Sequence, residues 1–338
     1  MIRGVWGLDT SNYRTSAAIV SLAGETLLNR RILLPVSDGE RGLRQSDAVF
    51  IHLRQLTAME EALREAAEQG IIPAAVAVSD RPRDGQDSYM PVFQAGLTAA
   101  SFLAASLNIP LYRTTHQRGH LAAAARGGPL EAADHYLALH LSGGTTDLLV
   151  VRRDSVTRLG GSLDLHAGQL VDRVGVALGL PFPAGPALEL LAEAGKSSGR
   201  LGVSMEGKDL FCHLSGAESQ AQRWIRQKAL AREDLAREVY DLLARTTARL
   251  IAAGVKETGE TGVLVTGGIA SSPLFRRLLR RRLEGTRPRL SPVFGDPELS
   301  GDNAVGIALI GRGKYLEEHA RNAGTVPGFR TGRPDANE

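Results

Sequence analysis

The sequence predicts an α/β protein made of two duplicated βββαβα-type domains that face each other around a cleft. Its 338 residues are about twice the length of a typical domain. Each half opens with three strands in a meander and continues with helices and further strands, so the order of elements repeats. A turn of glycine or hydroxyl residues follows the first strand of each half, within GLDTSNYRTSAAIV and LHLSGGTTDLLVV. Strands that alternate with helices favour mixed sheets covered on both faces.

The first half is predicted to contain five strands and two helices. Turn signals separate the first three strands, a helical periodicity ends at Gly70, and two prolines and a glycine indicate a loop at 80–91. The predicted strands are 3–9, 16–22, 26–34, 74–78 and 110–113, and the predicted helices are 46–69 and 92–107.

The second half repeats the opening meander and then becomes mainly helical. The predicted strands are 135–141, 146–152, 155–159, 262–266 and 290–294, and the predicted helices are 166–178, 186–195, 217–229, 232–257, 273–284 and 302–320. We expect a first domain of residues 1–115 plus about 302–325, a second of residues 116–301, and an irregular tail at 326–338.

Composition points to a cytoplasmic globular protein. Hydrophobic residues make up 43% of the chain and charged residues 23%, which is ordinary for that class. The single cysteine, Cys212, leaves no internal disulfide and fits a reducing compartment. The most apolar stretch, 92–111, is interrupted by polar residues and proline, so we predict no membrane span. An arginine cluster at 276–289 fits either a solvated helix face or a phosphate-backbone contact.

Three turns of one chemical type indicate a nucleotide held between the domains. Each follows a predicted strand, and small residues let backbone N–H groups approach an anion closely. The third turn also opens a helix, whose N-terminus favours negative charge. Tight hairpins and a helix cap are the structural alternative. The candidate binding residues are Asp9, Thr10 and Ser11, then Ser142, Gly143, Gly144, Thr145 and Thr146, then Gly267, Gly268 and Ser272.

A second set of residues has the chemistry of a metal site. His116 and His120 are four residues apart, so a helix would place both imidazoles on one face. A third ligand must come from elsewhere, and Asp302 in SGDNA is a carboxylate candidate. Spacing alone also permits a plain helix surface for the histidines and a helix N-cap for the aspartate.

Two further residues are candidates for the nucleotide cleft. Asp172 lies among apolar residues of a predicted helix and could bind a ribose hydroxyl or simply pair with Arg173. Gly185, in PFPAGP, fits a turn that needs an open backbone. Such a turn is expected whether its role is structural or functional.

Taken together, these residues resemble the TsaD family, formerly described as glycoproteases. The order of motifs matches from Gly7 to about Gly311. The matching segments are Gly7–Ser11, the HxxGH motif of His116 and His120, the turn Ser142–Gly144, AGQLVDRVGVALGLPFPAGP with Asp172 and Gly185, Leu214–Gly216, Gly267–Ile269 and Gly301–Asn303.

The resemblance implies an actin-like ATPase (ASKHA) fold and an acyltransferase. It implies one divalent metal, iron or zinc, bound by His116, His120 and Asp302, and ATP or an adenylate in the cleft. The reaction would transfer a threonylcarbamoyl group from its adenylate to the N6 amine of a tRNA adenosine. TsaB-like and TsaE-like proteins and tRNA are the implied partners, and a homodimer is a further option.

Several positions depart from the family pattern. Arg118 stands where the histidine motif usually has an acidic residue, Thr145 replaces a histidine, and Ser272 replaces an asparagine. The segment 12–14 replaces a cysteine-containing loop, and the longer loop 80–87 replaces the AGPG loop near the acyl end of the substrate.

Two further hypotheses stand beside the enzyme, one from these departures and one from the former family name. The chain could be a non-catalytic, nucleotide-binding paralogue or regulatory partner of the housekeeping protein. A metallopeptidase is the third hypothesis, which the absence of an HExxH helix disfavours.

Overall fold

The computed structural model describes residues 1–11, 14–35, 43–85, 88–153, 155–299, 301 and 304–324. They contain two mixed sheets, each covered by helices, and each sheet with its helices is called a domain below. The helix that follows the first sheet packs on both sheets and crosses the last helix of the chain.

A five-stranded sheet is the centre of the first domain, in the order β3-β2-β1-β4-β5. Strands β1 to β3 form an antiparallel meander, and β4 and β5 add parallel to β1. The strands are β1 (Ile2–Ser11), β2 (Arg14–Ser21), β3 (Thr26–Leu33), β4 (Ile71–Arg81) and β5 (Leu111–Thr115), and the helices of this half are α1 (Gln45–Ala58), α2 (Glu60–Glu68) and α3 (Phe93–Leu107).

Alternation along β4 explains how this sheet is covered on both faces. Val76 and Val78 pack in a cluster with Ala100 and Ala104 of α3. Ala75 and Ala77 belong to a second cluster that includes residues of α10 (Val305–Gly324). Both faces are therefore apolar, and β4 is an almost continuous buried run.

The second domain has a seven-stranded sheet in the order β12-β11-β6-β7-β8-β10-β9. Its strands are β6 (His135–Leu141), β7 (Thr146–Arg152), β8 (Ser155–Ser162), β9 (Ser204–Glu206), β10 (Phe211–His213), β11 (Val263–Thr266) and β12 (Val293–Phe294). One face carries α5 (Ala167–Ala177), α6 (Gly185–Glu193), α7 (Ser215–Gln227), α8 (Arg232–Thr258) and α9 (Pro273–Leu283), which share one large apolar core with the sheet.

The helix α4 (His116–Ala125) connects the two sheets. It starts directly after β5, where the Thr115 hydroxyl accepts a hydrogen bond from the Arg118 amide at 3.2 Å and caps the helix. It packs on the second sheet through Leu121. It also crosses α10 so closely that a Cβ atom on Gly306 would lie 1.8 Å from the carbonyl oxygen of Gly119. Glycine is required at this crossing because no side chain fits between the backbones.

The main differences from the predicted elements lie in one helix, one strand and two short strands that were not predicted. The helix predicted at 46–69 is two helices that meet at Met59, whose side chain is buried in the first-domain core. Strand β4 continues through Arg81 because it pairs with β5 as far as Thr115, so the predicted loop begins later. The short strands β9 and β10 were not predicted, because three residues carry too little periodicity. None of the described helices is long and apolar enough to cross a membrane.

Candidate functional site

The carboxylate of Asp9 organises the centre of the candidate site. It lies at the end of β1 and is fully buried, a position that is costly for a carboxylate without partners. Ser79 Oγ donates to its Oδ1 at 2.5 Å, and Ser11 Oγ donates to Oδ2 at 3.2 Å. His116 Nδ1 lies 2.9 Å from Oδ2. The carboxylate is therefore held from two strands and in turn fixes an imidazole of α4.

The two histidines of the HxxGH motif converge. Their Nε2 atoms are 3.0 Å apart, and their rings meet edge to face with centroids 4.4 Å apart. A carboxylate can only accept a hydrogen bond, so a neutral His116 ring in this contact would carry its proton on Nδ1 and turn the lone pair of Nε2 toward His120. Two nitrogens in this arrangement share a proton or bind a common cation.

A third imidazole, that of His140, extends the cluster toward the second domain. Its ring centroid is 5.5 Å from that of His120. A Cβ atom on Gly267 would lie 3.0 Å from Cδ2 of His140 and 2.3 Å from the carbonyl oxygen of Leu141. The Gly267 φ of 97° also requires glycine. The three imidazoles thus follow one another from Asp9 to Gly267 of the third predicted turn. His140 was not identified from the sequence, where its position two residues before Ser142 was the only indication of its role.

The third predicted ligand, Asp302, lies outside the described residues, as does the tail at 326–338. Among the described residues no group of three or more histidine, cysteine, aspartate or glutamate side chains is arranged to hold a metal ion. On its C-terminal side, Ala304 and Val305 are fully buried, and the helix α10 that begins there packs directly on α4. The complete ligand set therefore stays a prediction.

The turn after β6 has an open outer side. The Ser142 amide donates to the carbonyl of Thr145 at 2.8 Å and closes the turn. Cβ atoms on Gly143 and Gly144 would meet no heavy atom within 4 Å. On the inner side, the Gly168 amide at the N-terminus of α5 donates to the carbonyl of Ser142 at 3.0 Å. Open glycine backbone beside a helix N-terminus is a suitable anion site.

Three hydroxyls that were predicted to bind the nucleotide form hydrogen bonds at the starts of helices. Thr10 joins β1 to the start of α3, Thr146 joins β7 to α5, and Ser272 caps α9. Each oxygen therefore has a structural role, and its contact with a ligand stays a prediction. The groups they contact are the Val92 carbonyl at 2.9 Å and the Gly96 amide at 3.1 Å, the Ala167 amide at 2.8 Å, and the Phe275 amide at 3.1 Å.

The segment around Gly185 is tied to the surrounding helices. Asp172 Oδ1 accepts the Ala184 amide at 2.8 Å, and the Gly185 carbonyl accepts the Tyr240 hydroxyl at 3.0 Å. Burial raises the pKa of Tyr240, so the phenol stays protonated as the donor. The helices that carry Asp172, Gly185 and Ser272 pack together on one side of the second sheet.

Two departures from the family pattern form a pair with each other. Arg118 donates from Nε and Nη2 to both carboxylate oxygens of Asp84, at 2.9 and 2.7 Å. The Val156 amide of β8 donates to Asp84 Oδ2 at 2.8 Å. Burial alone would raise the pKa of Asp84, but these donors more than offset it and lower the pKa. The loop after β4 is thereby attached to α4 and to the second domain.

Sequence comparison relates the chain to one protein family. A sequence model of the TsaD family, described as tRNA N6-adenosine threonylcarbamoyltransferase, matches residues 52–309. The protein of that name from Thermus thermophilus is 30% identical over 315 residues, covering 91% of each chain. The one from Enterococcus faecalis is 29% identical over 324 residues, covering 92% of this chain and 89% of its own.

Solved structures show the fold. The ROK hexokinase of Thermus thermophilus superposes with a TM-score of 0.54 at 18% identity, over 94% of this chain and 99% of its own. HypF of T. kodakarensis has a TM-score of 0.59 at 15% identity, over 94% of this chain and 48% of its own. The predicted actin-like ATPase fold is confirmed. Because the family match spans most of its length, the chain belongs to the TsaD family of tRNA N6-adenosine threonylcarbamoyltransferases.

Proposed function

We propose that this chain is a metal-dependent acyltransferase that moves a threonylcarbamoyl group from its adenylate to the N6 amine of a tRNA adenosine. The observation that carries the proposal is the convergence of His116 and His120 on one point, with His116 anchored on a buried carboxylate. Family membership and the names of the relatives support the reaction class.

The histidine pair fits a divalent metal. Metal–nitrogen bonds are about 2.0–2.1 Å long, and twice that length exceeds the 3.0 Å between the Nε2 atoms, so one cation could contact both. The Asp9 carboxylate orients one ligand and raises its basicity, as such partners do in histidine metal sites. Imidazole suits iron and zinc equally, and Asp302 would complete the set.

The glycine turns would hold the adenylate. The open backbone at Gly143 and Gly144, next to the N-terminus of α5, offers amide donors to phosphate oxygens. Asp172 has one carboxylate oxygen on the Ala184 amide, and its other oxygen is a candidate partner of a ribose hydroxyl. ATP or an adenylate would then lie with its phosphate end toward the imidazoles.

The chemistry needs positioning more than a protein nucleophile. A bound metal would act as a Lewis acid on carbamoyl and phosphate oxygens. The chain's own residues would orient the acyl carbon and limit its freedom before the amine attacks. A serine, histidine and aspartate triad is therefore not required.

The test is direct synthesis of the modified nucleoside. Purified full-length chain, loaded with Fe²⁺ or Zn²⁺, is incubated with tRNA and threonylcarbamoyl-adenylate, and the tRNA is digested and analysed by mass spectrometry. We expect threonylcarbamoyladenosine from the wild type and at least a hundredfold less from His116→Ala, which loses a metal ligand. His135→Ala, an exposed histidine at the start of β6, is the matched control and should retain activity.

A second candidate is a nucleotide-binding regulator that has lost catalysis. The Arg118–Asp84 pair favours it, because it rebuilds the loop beside the histidine motif. Bound metal and nucleotide with no modified tRNA, even in the presence of TsaB-like and TsaE-like proteins, would support the regulator and refute the transferase. For both candidate functions we propose a cytoplasmic location, with TsaB-like and TsaE-like proteins as partners. Co-purification from the native host would test these partners.

A further inference from the structure

A cavity of about 870 Å³ lies behind α4, on the side opposite the histidine pair. Arg118, Leu121 and Ala125 of α4 line it, and their spacing of three and four residues puts them on one face of the helix. The cavity also reaches β5, the β6–β7 edge and α10. None of the glycine turns contributes to its lining, so it is separate from the proposed nucleotide site.

Positive charge is in excess in this cavity. Three of its seven cationic side chains are neutralised by four of its five carboxylates: Arg81 by Asp80, Arg118 by Asp84, and Arg153 by Asp134 and Glu317. The other four cations have no carboxylate within 4.0 Å among the described residues. They are Arg113, Arg152, Arg312 and Lys314, and only Glu131 remains to oppose them.

Among the described residues, one buried hydroxyl without a hydrogen-bond partner lines the same cavity, and a largely buried phenol lies beside it. Thr114 is 7% exposed, and its hydroxyl oxygen is buried and unpaired. Tyr136 is 5% exposed, and burial raises its pKa to about 12, so its hydroxyl remains a donor. Buried polar groups are normally satisfied, so the unpaired Thr114 hydroxyl indicates a missing partner in this cavity.

The remaining lining is apolar. Leu121, Val151, Val156, Leu309 and Ile310 contribute to it. The volume falls within the range of about 300–1,000 Å³ that is typical of small-molecule sites. A ligand for this cavity needs an anionic head for the four cations and an apolar body for the aliphatic side chains.

We propose that this cavity is a binding site for a small amphipathic anion, with a phosphate or carboxylate head and an aliphatic body. The head would contact Arg113 and Arg152, and the Tyr136 hydroxyl would donate to it. This site does not depend on the transferase reaction, because it needs neither the histidine pair nor the glycine turns. Since α4 forms both its wall and the metal site, ligand binding there would be sensed by the helix that carries His116.

Isothermal titration of the full-length chain with octyl phosphate, butyl phosphate and inorganic phosphate tests the proposal. We expect octyl phosphate to bind tightest, because each additional buried methylene is worth about 0.8 kcal/mol, roughly fourfold in affinity. Arg113→Gln with Arg152→Gln should weaken it at least tenfold. Tyr136→Phe keeps the ring and should weaken it about three- to tenfold, the net value of one hydrogen bond.

The control removes two charges elsewhere. Arg223→Gln with Arg226→Gln, on the exposed side of α7, should leave the affinity unchanged, and saturating ATP should not compete. The proposal is overturned if octyl phosphate does not bind, if it binds no tighter than inorganic phosphate, if ATP displaces it, or if both arginine pairs have the same effect. Circular dichroism of each variant verifies that it is folded before titration.

Discussion

Removal of the Asp84 carboxylate should destabilise the protein and loosen the attachment between its domains. Asp84 accepts two hydrogen bonds from Arg118 and one from the Val156 amide, so it connects the loop after β4 with α4 and the second sheet. In Asp84→Ala all three donors lose their acceptor. The largely buried guanidinium of Arg118 would lose its bidentate carboxylate partner.

The size of the effect follows from the exposure of the pair. The Arg118 and Asp84 side chains are 21% and 22% exposed, so they lie between a surface pair and a buried one. Exposed pairs contribute about 0.2–1 kcal/mol, whereas breaking a buried pair costs about 3–5 kcal/mol. We expect Asp84→Ala to cost about 2–4 kcal/mol of the free energy of unfolding, and a coupling of at least about 1 kcal/mol with Arg118→Ala.

Urea unfolding followed by tryptophan fluorescence measures this effect. Trp6 lies in β1 and Trp224 in α7, so each domain has its own reporter, and we expect the transition of Asp84→Ala to broaden or split. The exposed Arg64–Glu60 pair, 67% and 65% exposed, is the control and should give a coupling of about 0.3–0.5 kcal/mol. Equal coupling at the two pairs would refute the reasoning.

Three further predictions concern the site and its surroundings. Asp9→Asn should lower metal affinity about 10–100-fold, measured by competition with a chelator, because it removes the partner that orients His116. Burial lowers the pKa of His52 below 6.5, so the stability that neutral His52 provides is complete above pH 6.5 and is lost as the pH falls below it. The wild type should therefore lose up to about 1.4 kcal/mol of its free energy of unfolding per pH unit through this group. His52→Gln should not show that part of the loss in urea titrations. Gly168→Ala would put a Cβ atom 2.6 Å from the Gly143 nitrogen and should weaken ATP binding at least tenfold by displacing the turn.

Each of these predictions has a control and a contradicting result. Ser79→Ala removes only a hydrogen bond to Asp9 and should weaken metal binding less than Asp9→Asn does; the reverse order would contradict the orienting role. A His52→Gln protein with unchanged acid sensitivity would show that other groups dominate. Gly285→Ala meets open space, and an equal loss of ATP binding there would reject the steric reasoning at Gly168.

The fold was largely predictable because local sequence patterns indicate most strands and helices of the repeated unit. The two strand meanders and most helices follow from periodicity and turn residues. The break at Met59 was not predictable, because helical periodicity continues through it and only the first-domain core requires the change of direction. Strands β9 and β10 depend on pairing at the edge of the second sheet, which no local pattern reports.

For the site, the sequence identified residues that lie there, but it did not predict what each of them contacts. Asp9 was predicted as a nucleotide ligand, and its buried carboxylate is directed at His116. Arg118 and the loop at 80–87 were separate departures from a motif, and the structure joins them through Asp84. Thr10, Thr146 and Ser272 have helix-starting roles besides any contact with a ligand.

The sequence alone determined the order of most elements, the pair of histidines on one helix face, and the three small-residue turns, because each depends on residues close together in the chain. Tertiary structure decided which of them meet. The burial of Asp9 beside His116, the approach of His140, and the cavity behind α4 all join segments separated by many residues. Such contacts arise from packing two sheets on shared helices, and local spacing carries no information about them.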